Sequence, residues 1–148
     1  MKSNGFTISP NSVTIDMITA NQGRIVLERP TTLLKSDTSQ NSSTWADVDI
    51  SALTTIPTNA RAVIMEMVVN DAGSAANTCE VRLRKKGETD ADQRCNVGCN
   101  GIANDKQSFG LVIVEMDSAD TIQREYVASG AGTLDVYWKL WGWVLWST

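Results

Sequence analysis

Histidine is absent from this chain of 148 residues. That absence removes the Ser-His-Asp and Cys-His arrangements of nucleophilic catalysis and the commonest metal ligand. Charge is sparse and slightly acidic, with 20% Asp, Glu, Lys and Arg and a formal net charge of -4, so neither a disordered polyampholyte nor a basic footprint for nucleic acid is expected. The longest apolar stretch, residues 137–146, is interrupted by Lys139 and falls short of the roughly 20 residues a membrane helix needs. No apolar run follows the opening Met1-Lys2-Ser3-Asn4-Gly5-Phe6, so a secretory leader is not expected. Cysteine is limited to Cys79, Cys95 and Cys99, an odd number in a chain large enough to fold without staples, which points to free, buried thiols in a reducing cytoplasm. Zinc at Cys95 and Cys99 would lack the usual four ligands.

What is present is a period of two. Residues 61–70 place Val63, Met65, Met67 and Val69 on one face and Ala62, Ile64, Glu66 and Val68 on the other, the pattern of a central strand buried on both sides. Residues 78–86 alternate Cys79, Val81 and Leu83 with Glu80, Arg82 and Arg84, as a strand with one wet face does. Further strands are expected at 44–50, 94–102, 107–116, 121–128 and 133–146. The stretches between them, such as Asn70-Asp71-Ala72-Gly73 and Ser129-Gly130-Ala131-Gly132, carry turn chemistry. This reads as an all-β jelly-roll or Greek-key β-sandwich over residues 44–148. Residues 1–43 read as an extended N-terminal arm followed by a polar linker from Lys35 to Ser43. The arm either pairs with the main sheet or another subunit, or supplies the first strands of one larger sandwich.

Candidate chemistry is thin. Asp47/Asp49, Asp90/Asp92 and Asp117/Asp120 are the closest carboxylate pairs, but most sit in turn sequences where Asp bonds to its own backbone, so no catalytic residue is assigned and the chain is read as a non-enzyme. Calcium in the same loops lacks the spacing of a dedicated site. Arg82, Arg84, Lys85 and Lys86 form the one basic cluster, read as a solvated strand face rather than a nucleic-acid site. No cofactor or metal is expected.

The C-terminus is the unusual region, since four of the five tryptophans fall between Trp138 and Trp146. Simple alternation puts Leu134, Val136, Trp138, Leu140, Gly142, Val144 and Trp146 on one face and Tyr137, Lys139, Trp141, Trp143 and Leu145 on the other. One face should be core. The second is a subunit interface, a buried face within the domain, or a platform on which a glycan stacks. Tyr137, Trp141 and Trp143, with Phe6, Ile8 and Ile15 of the arm, are the candidate interface residues.

Trp45-Ala46-Asp47-Val48-Asp49-Ile50-Ser51, the later Ile56-Pro57-Thr58-Asn59-Ala60-Arg61, the stretch Val81-Arg82-Leu83-Arg84-Lys85-Lys86-Gly87, and Val114-Glu115-Met116-Asp117-Ser118 through Tyr126 to Gly142-Trp143-Val144 together resemble small β-sandwich domains of tailed-bacteriophage virion proteins. The resemblance covers about residues 45–146. It departs at the end, where the family has a Leu-Gly-Tyr type sequence and this chain has Trp141-Gly142-Trp143. It implies a capsid decoration or cement protein, or a fibre-related module, commonly a homotrimer. The implied partners are its own copies and the major capsid protein or another virion protein, with no nucleic acid or membrane and a glycan as the alternative. The implied location is the virion, assembled in a bacterial host cytoplasm.

Overall fold

The apolar run Ala60–Asp71 forms one of the two long strands among the described residues, with eight of its twelve residues buried on one sheet face or the other. In the computed structural model, which describes residues 23–28, 33–73, 79–90, 94–99 and 107–146, the strands are β1 Gly23–Leu27, β2 Leu33–Gln40, β3 Ala46–Asp49, β4 Ala60–Asp71, β5 Glu80–Lys85, β6 Cys95–Gly98, β7 Ser108–Glu115, β8 Thr121–Val127 and β9 Leu134–Trp146. No helix occurs among the described residues. All pairings are antiparallel, in two sheets. The first runs β1-β9-β4-β7, with β2 also on β9, and the second runs β3-β8-β5-β6.

The core lies between the sheets. From the first come Val63, Met65, Met67, Val69, Val112, Val114, Trp138 and Trp143, and from the second Val48, Val81, Leu83, Val97, Ile122 and Tyr126. Each set alternates along its strand, as a sheet with one covered face requires.

β9 departs from simple alternation. Its pairing with β4 shifts register between Ile64 and Met65, which face Gly142 and Leu140 and leave Trp141 as the extra residue of a bulge. Gly142 has φ +155°, and a Cβ there would run into the Val26 carbonyl oxygen and lie 2.9 Å from the Leu27 Cα. Only glycine fits such a close crossing. The bulge reverses the parity of every residue after it. Trp143 and Leu145 therefore join Trp138 in the core, while Trp146 turns outward.

A polar linker was expected over residues 35–43. Residues 35–40 belong instead to β2, paired with β9, whereas residues 41–43 connect to the second sheet with the side chains of Asn41, Ser42 and Ser43 engaged. Tyr126 donates its hydroxyl to Asp37, which is also paired with Lys35. Ser39 N–H donates to Asp135 at 2.7 Å, Gly132 N–H to Asn41 at 2.7 Å, and the Ser42 and Ser43 hydroxyls accept from the Ala128 and Tyr126 amides at 2.9 and 3.1 Å. Polarity suits an edge strand whose backbone is half paired, so composition alone reads it as a linker. Burial, then Asp37, pushes the Tyr126 phenol far above its ordinary range, so it stays a neutral donor.

The cysteines also differ from expectation. Cys79 and Cys99 form a disulfide with Cα atoms 5.5 Å apart, and Cys95 is the free thiol. The cause is register: Glu80 faces Gly98 across β5 and β6, so residues 79 and 99 are opposed at the next position, with Cys99 N–H donating to the Cys79 carbonyl at 2.9 Å. Their Cα separation falls within the range a disulfide spans.

Candidate interaction surface

The outer face of the second sheet is saturated with internal partners. Arg82 pairs with Glu80 and, at 2.8 Å, with Glu125. Arg84 donates to Gln123 at 2.9 Å and lies 3.9 Å above the Trp45 ring. Lys86 pairs with Asp47 at 2.6 Å, and Lys85, which shares the parity of Val81 and Leu83, reaches across to Glu115 of the first sheet at 2.6 Å. Each member of the basic cluster seen in the sequence thus has an internal partner, an acid for Arg82, Lys85 and Lys86 and an amide and a ring for Arg84. Asp49 and Asp117 accept bonds from the backbone of their own turns, as expected of turn aspartates.

The outer face of the first sheet is different. Its rows read Phe109–Val68–Tyr137, Leu111–Glu66–Lys139 and Ile113–Ile64–Gly142 across β7, β4 and β9, and the last row continues to Leu27 of β1. Val68 and Ile64, flanked on both sides, are covered by their neighbours. Phe109, Leu111 and Ile113 are exposed by 78, 62 and 51%, and at the opposite edge Ile25, Leu27 and Trp146 are exposed by 59, 68 and 49%. Two apolar strips therefore border one sheet face.

Between the strips lies a small polar knot. Glu66 accepts from Lys139 Nζ at 2.8 Å and from Trp141 Nε1 at 3.1 Å, so all three hold each other across β4 and β9. The outer edge of β7 is not open to another strand. Cys95 Sγ donates to the Ile113 carbonyl at 3.4 Å, Ser108 donates to the Gly98 carbonyl, and the Val97 side chain sits 2.9 Å from where a Cβ on Gly110 would be. β6 therefore guards that edge, and what β7 offers is its face.

Of the residues singled out from sequence, Tyr137 and Trp141 lie on this face, half-buried. Trp143 does not: it is fully buried, its indole N–H donating to Glu28 at 2.7 Å. Phe6, Ile8 and Ile15 lie outside the described residues. Phe109, Leu111, Ile113, Ile25, Leu27 and Trp146 were not singled out. In 108–115 both faces of the strand are apolar, so alternation alone does not say which one a second sheet covers.

Both carboxylate oxygens of Glu66 are engaged, one by Lys139 and one by Trp141. Elsewhere, Asp71, Cys79 and Cys99 bring ligand atoms within 4.8 Å of one another. The two sulfurs are joined, and Asp71, itself buried, already accepts from Gly73 N–H and Ser129 N–H at 2.9 Å and from the Ser129 hydroxyl at 2.6 Å. Burial raises its pKa, but those bonds outweigh burial and hold the carboxyl below its usual range. Such a set does not fit a metal without breaking the disulfide. No protein-family model and no curated protein sequence matches the chain.

Proposed function

We propose that this chain is a non-catalytic structural protein of a tailed-phage virion, a decoration or cement protein that binds the head shell, associates with its own copies as a homotrimer, and uses its N-terminal arm in that attachment. The observation that carries the proposal is strand order. Counting β2 to β9 as eight strands, the sheets read β2-β9-β4-β7 and β3-β8-β5-β6, and this interleaving is the one an eight-stranded jelly roll requires. Jelly rolls recur in capsid proteins and lectins, and the sequence resemblance over about residues 45–146 points to the virion branch. The two exposed apolar strips are in keeping with a protein completed by assembly. The Cys79–Cys99 pair withdraws the thiol argument for a reducing cytoplasm, so assembly there rests on the resemblance.

Jelly rolls also occur in lectins, so a glycan- or receptor-binding fibre module is the competing reading. It is the weaker one, because stacking on sugar needs a platform of flat, open aromatic faces. Trp143 is buried and Trp141 is held by Glu66, and the open rings, Phe109 and Trp146, stand at opposite edges of the sheet. The test is to mix the full chain with undecorated heads of the phage that encodes it and sediment them. Saturable, stoichiometric co-sedimentation is expected. Failure to bind, together with tryptophan fluorescence that shifts with a host polysaccharide, would replace this proposal with the glycan reading.

A further inference from the structure

We infer that the outer face of the first sheet, bordered by Phe109, Leu111 and Ile113 on one side and Ile25, Leu27 and Trp146 on the other, is covered by a second copy of this chain. This deepens the self-association named above and rests on it only for its biological setting.

Three features select a copy over other occupants. The first is charge. The molecule carries a net charge of -4, so two copies repel each other over most approaches. On this face the central charges, Glu66 and Lys139, neutralise each other at 2.8 Å, so a copy meets no net charge here. An anionic bilayer would meet the net negative charge of the whole chain, and the exposed strips that would face it are apolar rather than basic. The second is chemistry. The most exposed groups are one phenyl ring, one indole and aliphatic side chains, among which the Trp146 indole N–H is the one hydrogen-bonding group that could orient a sugar. Such surfaces are matched by another apolar surface.

The third is area. Four strands at about 4.8 Å spacing and seven residues at about 3.3 Å make a footprint of roughly 440 Å² per copy. Two such faces, with side-chain relief added, come to roughly 1,000 Å² in total, the lower limit for a specific interface. The contact is therefore modest, and association should depend on concentration. It is also face to face, because β6 blocks the free edge of β7 against strand addition.

The test is the mass of the full-length chain by light scattering across a dilution series, for the wild type, Leu111→Glu and Leu27→Glu. Both substituted side chains point into solvent, so the fold is spared, and an unchanged near-UV tryptophan spectrum verifies that. The wild type is expected to form dimers or higher oligomers, with each variant weakening association at least tenfold. If both strips respond and the mass is two copies, matching faces meet about a two-fold axis. Three copies with both strips responding mean that the β7 strip of one meets the β1 strip of the next. A wild-type monomer at every concentration, or oligomers indifferent to both substitutions, overturns the inference. Oligomers that dissolve in the variants but never bind heads would leave it standing and overturn the virion proposal instead.

Discussion

The outer faces of the two sheets are built on the same alternating period and finished in opposite ways. On the second sheet Arg82, Arg84 and Lys86 are matched with Glu80, Glu125, Gln123, Asp47 and the ring of Trp45, so that face is complete in water. On the first sheet Phe109, Leu111 and Ile113 stand exposed in a row, and the polar groups between the strips are the Glu66 knot and Tyr137. Exposed surface is not evenly prepared for solvent. Where charge pairs close a face, substitution should do little. Where apolar groups are left open, substitution should change association while leaving folding intact.

The strongest way to break the contrast is at Gly142, whose bulge decides which C-terminal side chains face outward. Gly142→Val places a branched Cβ against the backbone of β1. It is expected to cost about 3 kcal/mol or more of unfolding free energy in denaturant melts and to expose tryptophans that are now buried. Next is the Cys79–Cys99 bond, which closes a loop of 21 residues across the second sheet. Cys79→Ser with Cys99→Ser is expected to lose about 3 kcal/mol, with Cys95→Ser as the near-neutral control.

Asp71 gives a smaller effect with a definite pH dependence. Its folded pKa lies below the unfolded value of 3.8. The stability it contributes is therefore fully present above about pH 4 and is lost as pH falls through the lowered folded value. Asp71→Asn is expected to cost about 2 kcal/mol at neutral pH and to flatten the acid limb of a stability-against-pH curve. The smallest effect sharpens the comparison. Arg82→Ala on the closed face should cost less than about 1 kcal/mol, more of it at low salt than at high salt, and leave the oligomer untouched.

The strand pattern was legible because alternation and turn residues are local. Residues 60–71, 80–85, 108–115 and 121–127 all lie within expected windows, or within one residue of them. Legibility failed where the outcome depended on a distant partner. Trp143 was placed with Trp141 because strict alternation continues through Gly142, and nothing local reveals that β1 crosses there. The disulfide stayed hidden because residues 79 and 99 are 20 apart in sequence and opposed only by the pairing of β5 with β6. Residues 35–43 read as a linker because the Asp37, Asn41 and Ser42 side chains find Tyr126, Gly132 and Ala128, and the Ser39 N–H finds Asp135, only in the folded chain.

The sequence by itself determined that the chain is all-β, where most strands begin and end, and that a Ser-His-Asp or Cys-His site is excluded. These follow from side-chain chemistry and a period of two, which each segment carries within itself. Tertiary structure alone decided which face of β7 and which tryptophans of β9 meet water. A strand that is apolar on both faces is equally content either way up. Only the position of the second sheet, and one glycine that lets β1 pass close to β9, makes the choice.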